Sequence, residues 1–137
     1  MAKNAVDLLM GLDAGKALKM PEGEYEVKRL TEMVGEPFIV RYRAVPGRKQ
    51  AEIIDQYSAG DGEATAVQNF DSSLMLLATA VFDPDLNDEG LKKKFGAATP
   101  KDLAEKLFLT GEVNDIVKAV TGLSKAVEAD QDKAIKN

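Results

Sequence analysis

The chain has no cysteine and no histidine among its 137 residues, and each absence excludes a branch of chemistry. Without cysteine there is no disulfide framework and no thiolate nucleophile. Without histidine the commonest general base, the usual activator of a serine or cysteine nucleophile and the commonest zinc ligand are all missing. Tryptophan is absent too, and with five phenylalanines and three tyrosines the core is expected to be mostly aliphatic. No apolar run approaches the ~20 residues that a membrane-spanning helix needs. The opening MAKNAVDLL holds too short an apolar stretch for a signal peptide and no cleavage site. A basic excess is also lacking. The net charge is -5, whereas neutralising nucleic-acid phosphates takes a face of clustered lysine and arginine. These absences lead to the expectation of a soluble intracellular protein with no nucleic-acid or membrane partner. One domain is expected at this length, burying roughly two thirds of the surface of the unfolded chain.

What is present is clearest in residues 91–127, LKKKFGAATPKDLAEKLFLTGEVNDIVKAVTGLSKAV. Thr99 suits a helix N-cap, Pro100 the first helical position, and Asp102 the positive end of the helix dipole. Leu103, Ala104, Leu107 and Phe108 follow at helical spacing. Gly111 breaks the pattern, with Thr110 as a second N-cap candidate, before Val113, Ile116, Val117, Val120 and Leu123 resume it. Two amphipathic helices meeting near Gly111 are expected, with one kinked helix as the alternative.

Upstream, residues 4–12 form a short apolar helix, with Val6, Leu9 and Met10 on one face and Leu8 beside them. A helix this short must dock on the domain or on a partner. Residues 11–23 read as a loose connection. Residues 24–33 alternate in part, with Tyr25 and Val27 on one side; after the turn signal Gly35-Glu36-Pro37, Phe38, Val40 and Tyr42 share a face. The two runs predict a β-hairpin or meander, with Arg41 and Arg43 on its wetter face against the carboxylates of the first strand. Residues 48–57 suit a helix with Ala51, Ile54 and Tyr57 inward, and residues 58–66 a surface loop. The stretch 68–82 is apolar nearly all round, the mark of a centrally buried helix, with Asp83-Pro84-Asp85 as its stop. Residues 88–95 give another helix, with Leu91 and Phe95 inward, Lys92, Lys93 and Lys94 outward, and Gly96 closing it. The resulting fold class is α+β. A small antiparallel hairpin or sheet from residues 24–43 packs against about five helices, and the C-terminal half is helical or a bundle of its own. The domain spans residues 1–127, and residues 128–137 form a charged tail.

Three patterns invite a chemical reading, and each fails on its own terms. Gly11-Leu-Asp-Ala-Gly15-Lys16 is one residue short for a phosphate loop, lacks the following Ser or Thr, and has no strand before it. Asp83, Asp85 and Asn87 match the first ligands of a calcium loop, but Asp88 stands at the turn-glycine position and Lys94 at that of the bidentate glutamate. Asp102, Glu105, Glu112 and Asp115 are carboxylates near helix starts, where capping and dipole roles suffice; a hydrolase would need two of them in a cleft with one pKa raised. No catalytic residue, cofactor site or metal site is assigned, and no enzyme is expected.

The order of motifs resembles the tail assembly chaperones of phages and prophages, in particular the XkdN-like family. Residues 94–97 (KFGA), 99–102 (TPKD) and 106–112 (KLFLTGE) carry the likeness, supported by Val27-Lys28-Arg29-Leu30, the Pro37 strand and the helix over 48–57. It covers residues 1–127 and leaves out the charged tail. The resemblance implies a non-catalytic holding chaperone in the host cytoplasm. It would bind the tape measure protein and keep it soluble while the tail tube assembles, and self-association stays open. Competing readings are a minor structural tail protein retained in the virion and a small regulatory adaptor. Helix-in-groove packing would serve the chaperone role, and Met75, Leu76, Phe108 and Leu109 are the candidate partner-binding residues, each with ordinary core packing as the alternative.

Overall fold

A computed structural model describes residues 4–58 and 62–123. Among these are eight helices and a three-stranded antiparallel sheet, an α+β fold with a helical C-terminal half. The chain opens with α1 (Ala5–Met10) and α2 (Ala14–Ala17), followed by β1 (Glu22–Glu26), α3 (Lys28–Val34) and β2 (Ile39–Arg43). Then come α4 (Gly47–Tyr57), α5 (Ala66–Ala80), β3 (Val81–Asp83), α6 (Glu89–Phe95), α7 (Pro100–Leu107) and α8 (Thr110–Leu123).

The sheet runs β1-β2-β3, with β2 between two antiparallel neighbours. Pairing Tyr25 with Val40 and Gly23 with Tyr42 turns those four toward the helices, while Glu22 and Glu24 meet Arg43 and Arg41 on the wet face. The expected cross-strand charge pairing is present. Gly23 is required by close approach, since a Cβ there would stand 2.7 Å from the Tyr42 hydroxyl, at the end of a buried side chain.

Two expectations about the sheet are corrected. The first two strands are no hairpin, because residues 28–34 form α3. Val27, Leu30 and Thr31 lie at helical spacing, and Gly35 closes the helix with a φ of 82°. Thr31 ties the helix to both strands: its hydroxyl donates to Glu26 Oε2 and accepts from the Phe38 amide, each at 2.9 Å. The long apolar stretch also ends its helix at Ala80, so Val81–Asp83 is a strand on the open edge of β2 rather than a last helical turn. Phe82 consequently faces the wet side, where the guanidinium carbons of Arg43 and Arg41 lie 4.3 and 5.4 Å from its ring centre.

The centre of the molecule is α5, as its all-round apolar character requires. Leu74, Leu76, Leu77 and Ala80 are buried, and the helix touches α4, α7, α8 and β3. Its start is fixed by a capping box between Thr65 and Gln68. Val27, Val40, Ile53, Leu103, Phe108, Val113, Ile116 and Val120 complete one aliphatic core. In α4 the inward residue is Ile53, and both Ile54 and Ala51 are exposed. The expected inward face of Ala51 and Ile54 is corrected: α4 packs on α5 with Ile53 inward.

In α6, Asp88 caps the start and Gly96 closes the end, as expected, but the lysine run does not all point outward. Lys92 is buried, its ammonium bound to Asn87 Oδ1 and Glu89 Oε1 at 3.0 Å each, while Phe95 is exposed. The aliphatic stem covers apolar surface while the charged end stays paired.

Candidate partner-binding site

The α7–α8 corner is fixed by one arginine. Arg29, carried in by α3, donates from Nε to Glu112 Oε2 at 3.0 Å and from Nη2 to Glu112 Oε1 at 2.9 Å. The same Nη2 donates to the Leu107 carbonyl at 2.7 Å, satisfying an acceptor at the end of α7. Glu112 in turn accepts from the Leu109 amide at 2.8 Å. Thr110 is therefore not the cap of α8; it is the first helical residue, and Glu112 reaches back to the residue before it. Hydrogen bonding from Arg29 holds the Glu112 carboxyl below the usual carboxylate range and raises the Arg29 guanidinium. A second strut runs from the Tyr25 hydroxyl to Asp115 Oδ2 at 2.8 Å. Burial first, and then that bond, pushes the phenol up. Asp102 accepts from the Ala98 amide and Thr99 from the Asp102 amide, so the helix starts use their carboxylates structurally. The helical spacing of Val27, Leu30 and Thr31 is the sequence signal that places Arg29 on a helix rather than a strand.

The four candidate contact residues fall in different places. Met75, half-buried, lines a groove of about 280 Å³ between α5 and the start of α7, with Tyr57, Thr79 and Pro100. Lys101 borders it, bound to Asp71 at 3.0 Å and lying 5.3 Å from the centre of the Tyr57 ring. Leu76, next in sequence, turns to the other flank of α5. There it helps floor a groove of about 460 Å³ with Ile53 and Ile54, rimmed by Gln50, Asn69 and Ser72. Phe108 is 5% exposed and lies in the core cluster. Leu109 is 58% exposed on the α7–α8 corner. No one groove gathers all four.

The patterns set aside on sequence grounds have ordinary geometry. Gly11 is the C-cap that follows α1 and Gly15 lies in α2, which Asp13 caps by accepting from the Lys16 amide. Asp85 and Asp88 accept from the backbone amides of Asn87 and Leu91. Among the described residues no group of three or more acidic, histidine or cysteine side chains is placed to hold a metal ion.

Such a molecule is a small α+β domain whose accessible features are apolar grooves and uncovered apolar side chains, the equipment of a protein-binding domain. The chain belongs to the phage XkdN-like tail assembly chaperone protein family, whose model matches residues 6–136. The match takes in the charged end beyond residue 127 as well as the helical body. No protein of curated function and no solved structure matches the chain. Its general role is that of a phage tail assembly chaperone.

Proposed function

We propose that the chain binds the tape measure protein and keeps it soluble in the host cytoplasm while the tail tube is assembled around it, without catalysis or a cofactor. Family membership over residues 6–136 is the observation that carries this reading. The surface supports it. Two apolar-floored grooves flank α5, and Leu109 projects from a corner that Arg29 and Glu112 hold in place. Grooves of this kind suit the apolar stripe of a helix, with Met75, Leu76 and Leu109 offering contact and Phe108 supporting its neighbours from the core. A net charge of -5 favours solubility. No helix among the described residues is long and apolar enough to cross a membrane.

The test is co-expression with the tape measure protein of the same tail gene cluster. The expected result is a large rise in soluble tape measure protein that elutes together with this chain. Tape measure protein that stays insoluble, with nothing co-purifying at any salt concentration, would remove the proposal's support and favour a structural component retained in particles.

A further inference from the structure

The guanidinium that fixes the α7–α8 corner is held by unequal acceptors. Nε and Nη2 of Arg29 meet the two oxygens of Glu112 at 3.0 and 2.9 Å, and Nη2 also meets the Leu107 carbonyl at 2.7 Å. Nη1 faces Met33 Sδ at 3.8 Å, and this thioether is its one partner among the described residues. A thioether sulfur is a weak acceptor, whereas the other partners are a carboxylate and a carbonyl oxygen. The guanidinium is thus closed by oxygen on two of its nitrogens and by sulfur on the third.

Helix geometry puts that sulfur in place and leaves it open to solvent. Arg29 and Met33 stand at i and i+4 on α3, so they share a face one turn apart. Arg29 is half-buried against the corner, while Met33, in the last turn before Gly35, is 71% exposed. The chain has no cysteine, so methionine supplies the only sulfur that an oxidant can meet. Met10 is equally open to solvent, and Met75 is half-buried in the groove beside α5, but it is Met33 that lies against a cation.

We infer that Met33 is a modification site, at which oxidation by hydrogen peroxide tightens the α7–α8 corner. The thioether sulfur attacks one oxygen of the peroxide, the O–O bond breaks and an S–O bond forms. Sulfur gives up two electrons, and the other peroxide oxygen is reduced and leaves with both protons as water. The product exchanges a weak acceptor for a strongly polar sulfoxide oxygen. In the epimer whose oxygen points to Nη1, every nitrogen of the guanidinium then meets oxygen. Nε and Nη2 keep their bonds to Glu112 and Leu107, so the new bond adds to the corner and does not draw Arg29 away from it. A methionine sulfoxide reductase reverses the step by restoring the thioether.

The experiment treats the full chain with hydrogen peroxide, locates the sulfoxides by peptide mass spectrometry and compares melting temperatures. Met33→Leu is treated in parallel. The position is exposed, so this variant is expected to fold as the parent does, and it keeps every other methionine. The oxidised parent is expected to melt about 2–4 °C above the equally treated Met33→Leu chain, with the two untreated chains alike. Met33→Gln, which brings an amide oxygen toward Nη1 without an oxidant, is expected to shift in the same direction. Treated parent and treated Met33→Leu melting together, or the oxidised parent melting lower, would overturn the inference. So would a Met33 that stays a thioether at peroxide concentrations that convert Met10. A gain that persists in an Arg29→Lys background would place its cause elsewhere and overturn it too.

Discussion

Arg29, on α3, ties the end of α7 to the start of α8 from outside the C-terminal half. Its guanidinium satisfies a carbonyl at the end of α7 and both oxygens of the carboxylate that closes the start of α8. The corner is thus set from the sheet side of the molecule, and Leu109 is presented as a consequence. Glu112→Gln keeps the shape but removes the charge-assisted pairing, for which a loss of about 1–3 kcal/mol at neutral pH is expected in urea unfolding. The pH dependence has a definite sign. Because the folded protein holds the Glu112 carboxyl below its ordinary value of 4.5, its contribution is present in full above that value. It is lost as pH falls through the depressed folded value. The advantage of the parent over Glu112→Gln should therefore be constant from neutral pH down to about 5 and shrink below that. An advantage that grew on acidification would contradict this account of the corner.

The elements with strong local signals were legible from sequence, and those that depend on partners were not. Thr99-Pro100-Lys101-Asp102 specifies the start of α7 by itself, since cap, proline and dipole complement lie within one turn. Val40 and Tyr42 alternate with Arg41 and Arg43 because one face of β2 is buried and the other wet. By contrast, β3 is three residues long and exists because the β2 edge lies beside it, so Val81-Phe82-Asp83 alone cannot be told from the end of a helix. In α3, mixed spacing reads equally as a short strand, and Gly35 decides the matter only once its left-handed conformation is seen. Ile53 and Ile54 make the same point within one helix, where rotation is set by α5 rather than by local pattern. Ile53→Ala is expected to cost about 2–5 kcal/mol, as deletion of a fully packed side chain does. Ile54→Ala, on the exposed side, should stay within about 0.5 kcal/mol. Equal losses for the two in chemical denaturation would mean that α4 is rotated from its described position.

At the scale of the whole molecule, one aliphatic core coexists, among the described residues, with open apolar surface that includes two grooves beside α5, Leu109 at the α7–α8 corner and the segment before β1. A monomer seldom leaves such surfaces uncovered without a use for them. Of the candidate contacts, Leu109 is exposed and Met75 half-buried, whereas Leu76 and Phe108 lie in the core cluster, a distinction that apolar spacing alone does not draw. The N-terminal apolar helix is also legible as needing a dock; that α1 buries none of its residues is visible only in the three-dimensional arrangement. The proposed role of this chain is to hold the tape measure protein in solution. Its most direct test is light scattering after denatured tape measure protein is diluted into buffer with and without the purified chaperone, with no nucleotide added. The account predicts scattering that falls in proportion to added chaperone and vanishes at a fixed stoichiometry. Scattering that is unchanged by a several-fold molar excess would contradict it.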